Sequence, residues 1–195
     1  MTHQLQRTEK VVNELLNASY VSFKEGTFFI EEMVDSGKGR SFFHSTAPVL
    51  LMKSNHQGPL IWALDNKKCA EGGFIVFNDD GLTLHLLEMK SQLRRRDWSR
   101  VKEQLMGMYL ASIAIMHILQ LERPISVTAY VAYTEDKTQQ RDNRSYIYNK
   151  TINPAQNIEL QEWSQGKLHL PHGIVAEIRK GLRNSTGDID FGWVN

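Results

Sequence analysis

Cysteine is nearly absent from this chain: Cys69 is the single one among 195 residues. A disulfide framework within the chain is therefore impossible, and a zinc site built from several thiolates is excluded. Charge of one sign is lacking as well. With 23 basic and 22 acidic residues the net charge is +1, a balance that argues neither for nor against nucleic acid and leaves the local distribution to decide. Long hydrophobic runs are also missing. The most apolar stretch, Leu105 to Leu121, is interrupted by Gly107, Ser112 and His117 and falls short of the roughly 18 clean apolar residues of a membrane span. Met1-Thr2-His3-Gln4 offers no basic flank followed by an apolar core, so no signal peptide is expected. No internal repeat is visible. These absences set the expectation of a soluble, cytoplasmic protein with no membrane partner.

What is present is ordinary for a globular protein. A hydrophobic fraction of 41% and a charged fraction of 23% suit a single domain over residues 1–195 with a proper core. Val11, Val12, Leu15 and Leu16 share one face of a helix expected over 5–18. Tyr20–Phe23 reads as a short strand, Thr27–Val34 as strand or helix, and Asp35–Ser41 as a loop. Val49–Met52 and Leu60–Leu64 are short apolar runs, either two strands or a strand and an irregular segment. Two further apolar runs, Phe74–Phe77 and Leu82–Leu87, flank the turn Asn78-Asp79-Asp80-Gly81 and predict a hairpin with strands near 73–77 and 82–90.

Asp97 is the expected N-cap of a long helix running to about Leu119. Val101, Leu105, Met108, Ser112, Ile115 and Leu119 form its stripe, and from Met106 nearly every position is apolar or small, so most of its sides are buried. Arg123-Pro124 ends it. A strand over 125–133 follows. The polar stretch 135–158, with Arg141, Arg144, Tyr146, Tyr148 and Lys150, is a solvated loop or a substrate-binding excursion. A short strand at Lys167–Pro171, a helix over 173–183 and a tail complete the chain. This order predicts an α/β fold, with α+β as the variant, in which helices flank a mixed central β-sheet. Its core spans about 49–133, followed by an extension over 134–195.

The chemistry concentrates at Glu88-Met89-Lys90, at the end of the second hairpin strand. Alternation along a strand puts Glu88 and Lys90 on one face, one pleat apart. A carboxylate and an ammonium so placed suit a hard divalent cation with a lysine that orients the attacking water. Glu71 opens the preceding strand and should lie near Glu88 across the hairpin. Asp79 and Asp80 are the other carboxylates weighed as metal ligands, though they sit at the far end, ~25 Å along an extended strand. Arg94, Arg95, Arg96, Arg100 and Lys102 make a basic cluster at the start of the long helix, where helix N-terminal amides would add to phosphate affinity. His85 falls on the face opposite Glu88 and is left out of the site.

Strand–turn–strand ending in Glu-x-Lys, followed by a helix with an internal glutamine, resembles the PD-(D/E)XK (restriction-endonuclease-like) nuclease superfamily. The resembling residues are Cys69–Phe77, Leu84–Lys90 and Glu103-Gln104-Leu105, with Ser126–Val131 continuing the order; coverage is about residues 60–133. The resemblance implies a restriction-endonuclease-like core and a nuclease dependent on Mg²⁺ or Mn²⁺ that hydrolyses phosphodiester bonds of DNA or RNA. It also implies Glu88 as metal ligand, Lys90 as catalytic lysine and Gln104 as the helix-borne polar residue. An acid from an N-terminal helix often assists, a place assigned to Glu31 or Glu32. Small nucleases of this kind often dimerise, and they occur in defence and mobile-element settings. One departure stands out: the superfamily usually has an aspartate on the second strand, and here the nearest match is Glu71, followed by two glycines.

Other readings run alongside. The same fold with an impaired site would act as a binding or partner subunit, a reading kept open by the missing aspartate and by a methionine-rich helix (Met106, Met108, Met116) able to face a protein partner. A fold with no nuclease ancestry predicts Glu71 and Glu88 far apart. Trp98 is either a base-stacking platform or core packing. Cys69 reads as buried packing rather than a nucleophile, since no Cys–His arrangement is visible. His169 and His172 lack companion ligands and are not expected to hold a metal.

Overall fold

The computed structural model describes residues 2–32, 38–54, 65–138 and 161–194. Leu60–Leu64 and most of the 135–158 stretch lie outside the described residues. Helix α1 (Thr2–Leu15) precedes the antiparallel strands β1 (Val21–Glu32), β2 (Gly39–Lys53), β3 (Gly72–Asn78) and β4 (Gly81–Arg94). Helix α2 (Trp98–Ile118) leads to β5 (Ser126–Lys137), and the chain closes with β6 (Lys167–His169), β7 (Val175–Leu182) and β8 (Ile189–Trp193). The strands form one eight-stranded mixed sheet in the order β1-β2-β3-β4-β5-β7-β6, with β8 added alongside β2. β4, β5 and β7 run parallel to one another, the rest of the main path antiparallel. A parallel β4–β5 pair needs a crossover, and α2 supplies it. The expected α/β class with a mixed sheet is therefore what the chain adopts.

The two faces of the sheet are covered differently. Leu84 and Leu86 of β4, Val127, Ala129 and Val131 of β5, and Ile75 of β3 pack with Val101, Leu105 and Met108 of α2 and Val12 of α1 in one core. Both helices thus sit on the same face, not on both as helices flanking a sheet would. The reverse face is aromatic. Phe43 packs against Phe74, Tyr130 and Phe191 with ring centroids 4.8, 5.1 and 5.4 Å apart. Alternation along β2 puts Phe43 on this face with Val49 and Leu51, and the β1–β2 ladder shifts register between Lys24 and Gly26.

Three element readings change. The segment 173–183 is strand β7, not a helix: Ile174 and Ile178 satisfy helical spacing, but β5 on one side and β6 on the other hold it extended. A four-residue repeat fits both periods, so pairing decides. Residues 27–32 of the ambiguous 27–34 stretch join Val21 in one strand, 33–34 lie outside the described residues, and residues 39–41 of the expected loop belong to β2. Glu31 and Glu32 therefore sit on β1, not on an N-terminal helix. Among the described residues no helix is long and apolar enough to cross a membrane.

Candidate active site

β3 ends its pairing with β4 at Gly72↔Leu87. One step further, the same register sets Glu71 opposite Glu88, whose carboxyl feels its charge. On its other side β4 runs on beside β5, with Glu88↔Val131 and Lys90↔Tyr133. Glu88 is completely buried, and the Lys90 ammonium, 22% exposed, contacts its Oε1. Leu84 and Leu86 belong to the α2-side core and Leu87 and Met89 to the aromatic one. Alternation therefore turns Glu88 and Lys90 toward α2 and His85 away from them.

The segment entering β3 is stitched to α2, which explains how Glu71 is placed. Asn66 Nδ2 donates to the Glu103 carbonyl at 2.7 Å, and the Lys68 ammonium pairs with the Glu103 carboxylate. The Ala70 N–H donates to the Gln104 carbonyl at 3.0 Å, and Gln104 Nε2 reaches the Cys69 carbonyl at 3.5 Å. Gly107 permits this approach, because a Cβ there would lie 1.9 Å from the Lys68 carbonyl oxygen. The Gly72-Gly73 pair has a similar role. A Cβ would meet the Met52 carbonyl at 2.8 Å from position 72, or the His85 carbonyl at 2.9 Å from position 73. An aspartate on the first turn of β3 has no room, and the acid sits one residue earlier, at Glu71.

Electrostatics single out Glu88. Burial pushes its carboxyl up to about 8; Lys90 opposes the shift, and the nearby Glu71 and Glu32 carboxylates add to it. Glu88 and Glu71 also act on Cys69, whose thiol is pushed up to about 12, chiefly by burial. Cys69 is thus no thiolate nucleophile. Glu71, Glu88, Cys69 and Gln104 therefore lie near one another. Glu32 is further held by Arg183, whose Nη1 donates to its carboxylate at 3.2 Å.

Two buried oxygens here have no hydrogen-bond partner among the described residues: Glu88 Oε2 and Gln104 Oε1. Each orphaned polar group costs about 1–3 kcal/mol, an arrangement a cation would relieve. Among the described residues no group of three or more His, Cys, Asp or Glu is placed to enclose a metal. The donor set nevertheless suits an Mg²⁺-type ion, which takes one or two carboxylates and completes its shell with water and phosphate oxygens. Asp79 and Asp80 are exposed in the turn beyond Asn78↔Gly81, the opposite end of the hairpin from Glu88, so the fold does not bring them to the site.

The basic cluster is only partly available. Arg94, Arg96 and Arg100 are exposed, with Arg94 Nε bonded to Gln92 Oε1 at 2.6 Å. Arg95 opens the 3₁₀ turn Arg95–Asp97. Lys102 is committed elsewhere: its ammonium bonds both oxygens of buried Glu162 at 2.9 and 2.8 Å. Asp97 occupies the N-cap position but makes no side-chain cap; its carboxylate accepts the Arg94 N–H at 3.0 Å. Trp98 is buried against Trp163 at 5.0 Å, so it serves packing rather than base stacking. Glu31 pairs with Arg40 at 3.2 Å on the surface. The residues that sequence reasoning passed over are the positioning ones, Asn66, Lys68 and Gly107. A glycine in the middle of a helix was their one visible signal. Comparison with family models, with curated proteins and with solved structures finds no significant match for this chain.

Proposed function

We propose that the chain is a divalent-metal-dependent nuclease hydrolysing phosphodiester bonds of DNA or RNA, related to the restriction-endonuclease-like enzymes that its Glu88-x-Lys90 hairpin resembles. The observation that carries this reading is the completely buried Glu88 carboxylate, with Lys90 on one oxygen and no partner on the other, beside Glu71 and the unpartnered carbonyl of Gln104. Glu88 Oε2 and Gln104 Oε1 would hold Mg²⁺ or Mn²⁺, with Glu71 as second carboxylate. A bound ion neutralises charge at the scissile phosphate and lowers the pKa of its water. Lys90, which contacts Glu88, would orient the attacking water toward phosphorus. The exposed guanidiniums of Arg94, Arg96 and Arg100 hold backbone phosphates along the strand end that carries the site.

The test is degradation of plasmid and of structured RNA with Mg²⁺ or Mn²⁺, comparing wild type with Lys90→Ala. Metal-dependent cleavage by wild type alone supports the proposal. A second reading, the same fold with an impaired site serving as a partner subunit, draws on the lack of a third enclosing acid among the described residues and on the direct Lys90–Glu88 contact. Under it, neither protein cleaves with either metal.

A further inference from the structure

The reverse face of the sheet carries a cavity of about 400 Å³, a volume in the range that encloses small-molecule ligands. Three strands build its floor in register. His85 of β4 lies beside Thr128 of β5 and Thr128 beside Glu177 of β7, while Tyr130 lies beside Arg179. Alternation along β4 sends Thr83 and His85 to this cavity and Glu88 to the other face, so the two sites share a strand but no side chain.

The part of the floor formed by Thr83, His85, Thr128 and Tyr130 is polar and uncharged. His85 is buried, stacked on Phe74 at 4.6 Å, with Thr83 Oγ1 2.9 Å from Nε2 and the Tyr130 hydroxyl 3.3 Å from Nδ1. Burial, reinforced by Arg179, holds the imidazole down to about 3, and burial pushes the Tyr130 hydroxyl up to about 12. The rim is different. Arg179 is the single permanent cation among the lining residues, its guanidinium 5.9 Å from the Tyr130 ring centre. Its Nε lies 3.4 Å from the carboxylate of exposed Glu177, a long surface contact that a ligand anion displaces at little cost. Trp193 stands at the mouth with 62% of its surface open.

We propose that this cavity binds a nucleoside monophosphate, with the base over the His85–Thr128 floor, the phosphate on Arg179 and the ring flank against Trp193. With both His85 nitrogens held by Thr83 and Tyr130, the Thr128 hydroxyl is the floor's hydrogen-bonding group; the rim supplies one guanidinium, which an anion takes over from the exposed Glu177 carboxylate, and the mouth one aromatic face, a set that a planar heterocycle carrying a single anionic group matches. The inference stands independently of hydrolysis at Glu88.

The experiment is calorimetric titration of the full chain, in EDTA, with AMP, GMP, CMP and UMP, with the matching nucleosides and with inorganic phosphate. At least one nucleotide is expected to bind about tenfold or more tightly than its nucleoside and than phosphate. Arg179→Gln should weaken it about tenfold and Trp193→Ala several-fold. Both side chains are exposed, and a melting curve of each variant checks that it folds. Glu88→Gln should leave the affinity within about twofold, which separates this cavity from product binding at the other face. Failure of all four nucleotides to bind overturns the proposal. So does equal binding of nucleoside or phosphate, undiminished affinity in Arg179→Gln, or loss of binding in Glu88→Gln.

Discussion

Replacing Glu88 by glutamine should make the protein more stable in alkaline, metal-free buffer and leave it unchanged in acid. The carboxyl is pushed up to about 8 from an ordinary 4.5, mainly by burial. A carboxyl raised in the folded state holds its proton where the unfolded chain has released it. Stability from this group is therefore fully present below about pH 4.5 and is lost as pH rises toward about 8. At 1.36 kcal/mol per tenfold change in acidity, the interval from 4.5 to about 8 sets a ceiling of about 5 kcal/mol. Relaxation around Lys90, which reaches solvent, reduces what is realised, and about 2 kcal/mol is the expected gain from Glu88→Gln at alkaline pH. For a chain of this size that is roughly 4–8 °C in melting temperature. The assay is thermal unfolding of wild type and variant in EDTA across the pH range, repeated with Mn²⁺. In the wild type Mn²⁺ should raise the melting temperature and should do so more strongly as pH rises, because binding expels the Glu88 proton. In Glu88→Gln that increment should vanish. A variant that is less stable than wild type at high pH, or a difference that does not change with pH, refutes the account of Glu88 as a buried, ill-compensated carboxylate.

Other outcomes follow from neighbouring features. Gly107→Ala should lower stability by about 1–3 kcal/mol in urea titrations despite alanine's better helix propensity, because its Cβ collides with the Lys68 carbonyl at 1.9 Å. Any nuclease activity should fall with it as Glu71 shifts. Burial works to raise the Glu162 carboxyl, but hydrogen bonds from Lys102 and His169 outweigh it and hold the group below the usual carboxylate range. Its contribution is therefore present above the ordinary carboxylate value and lost as pH falls through the depressed one. Lys102→Met should cost about 1–3 kcal/mol at neutral pH by leaving buried Glu162 with only His169 among its described partners, and Glu162→Gln should cost less, since the Lys102 ammonium reaches water. Replacing Arg94, Arg96 and Arg100 together by alanine should flatten the salt dependence of duplex binding by up to roughly 3 in the log–log slope; an unchanged slope places the nucleic acid elsewhere.

Local pattern carried the reading of this chain where one period dominated. Phe74–Phe77 and Leu82–Glu88 alternate around a glycine turn, and they form the expected hairpin with Glu71, Glu88 and Lys90 at one end and His85 on the opposite face. The long helix was equally legible, because its apolar stripe continues for six turns. The failures share a cause. Val175–Leu182 satisfies both helical and strand spacing, and its conformation is decided by β5 and β6, which are distant in sequence. With that segment read as helix, Glu177 and Arg179 had no route to His85, and the second cavity stayed invisible. Ser41–Pro48 mixes polar, aromatic and proline residues and gave no clean period, yet it extends β2 to 15 residues. The stitching of Asn66 and Lys68 to α2 depends on separations of 37 and 35 residues that spacing cannot foresee.

The pairing of β8 with β2 ties the chain's last described strand to one of its first. Phe191 and Val194 lie over the rings of Phe43 and Tyr130. During translation the helix-covered side of the sheet can assemble while synthesis continues, but the aromatic side stays open to water until residue 194 has left the ribosome tunnel. Ribosome-stalled chains halted before Ile189 should therefore expose a dye-binding apolar surface, and those halted well past Val194 should not.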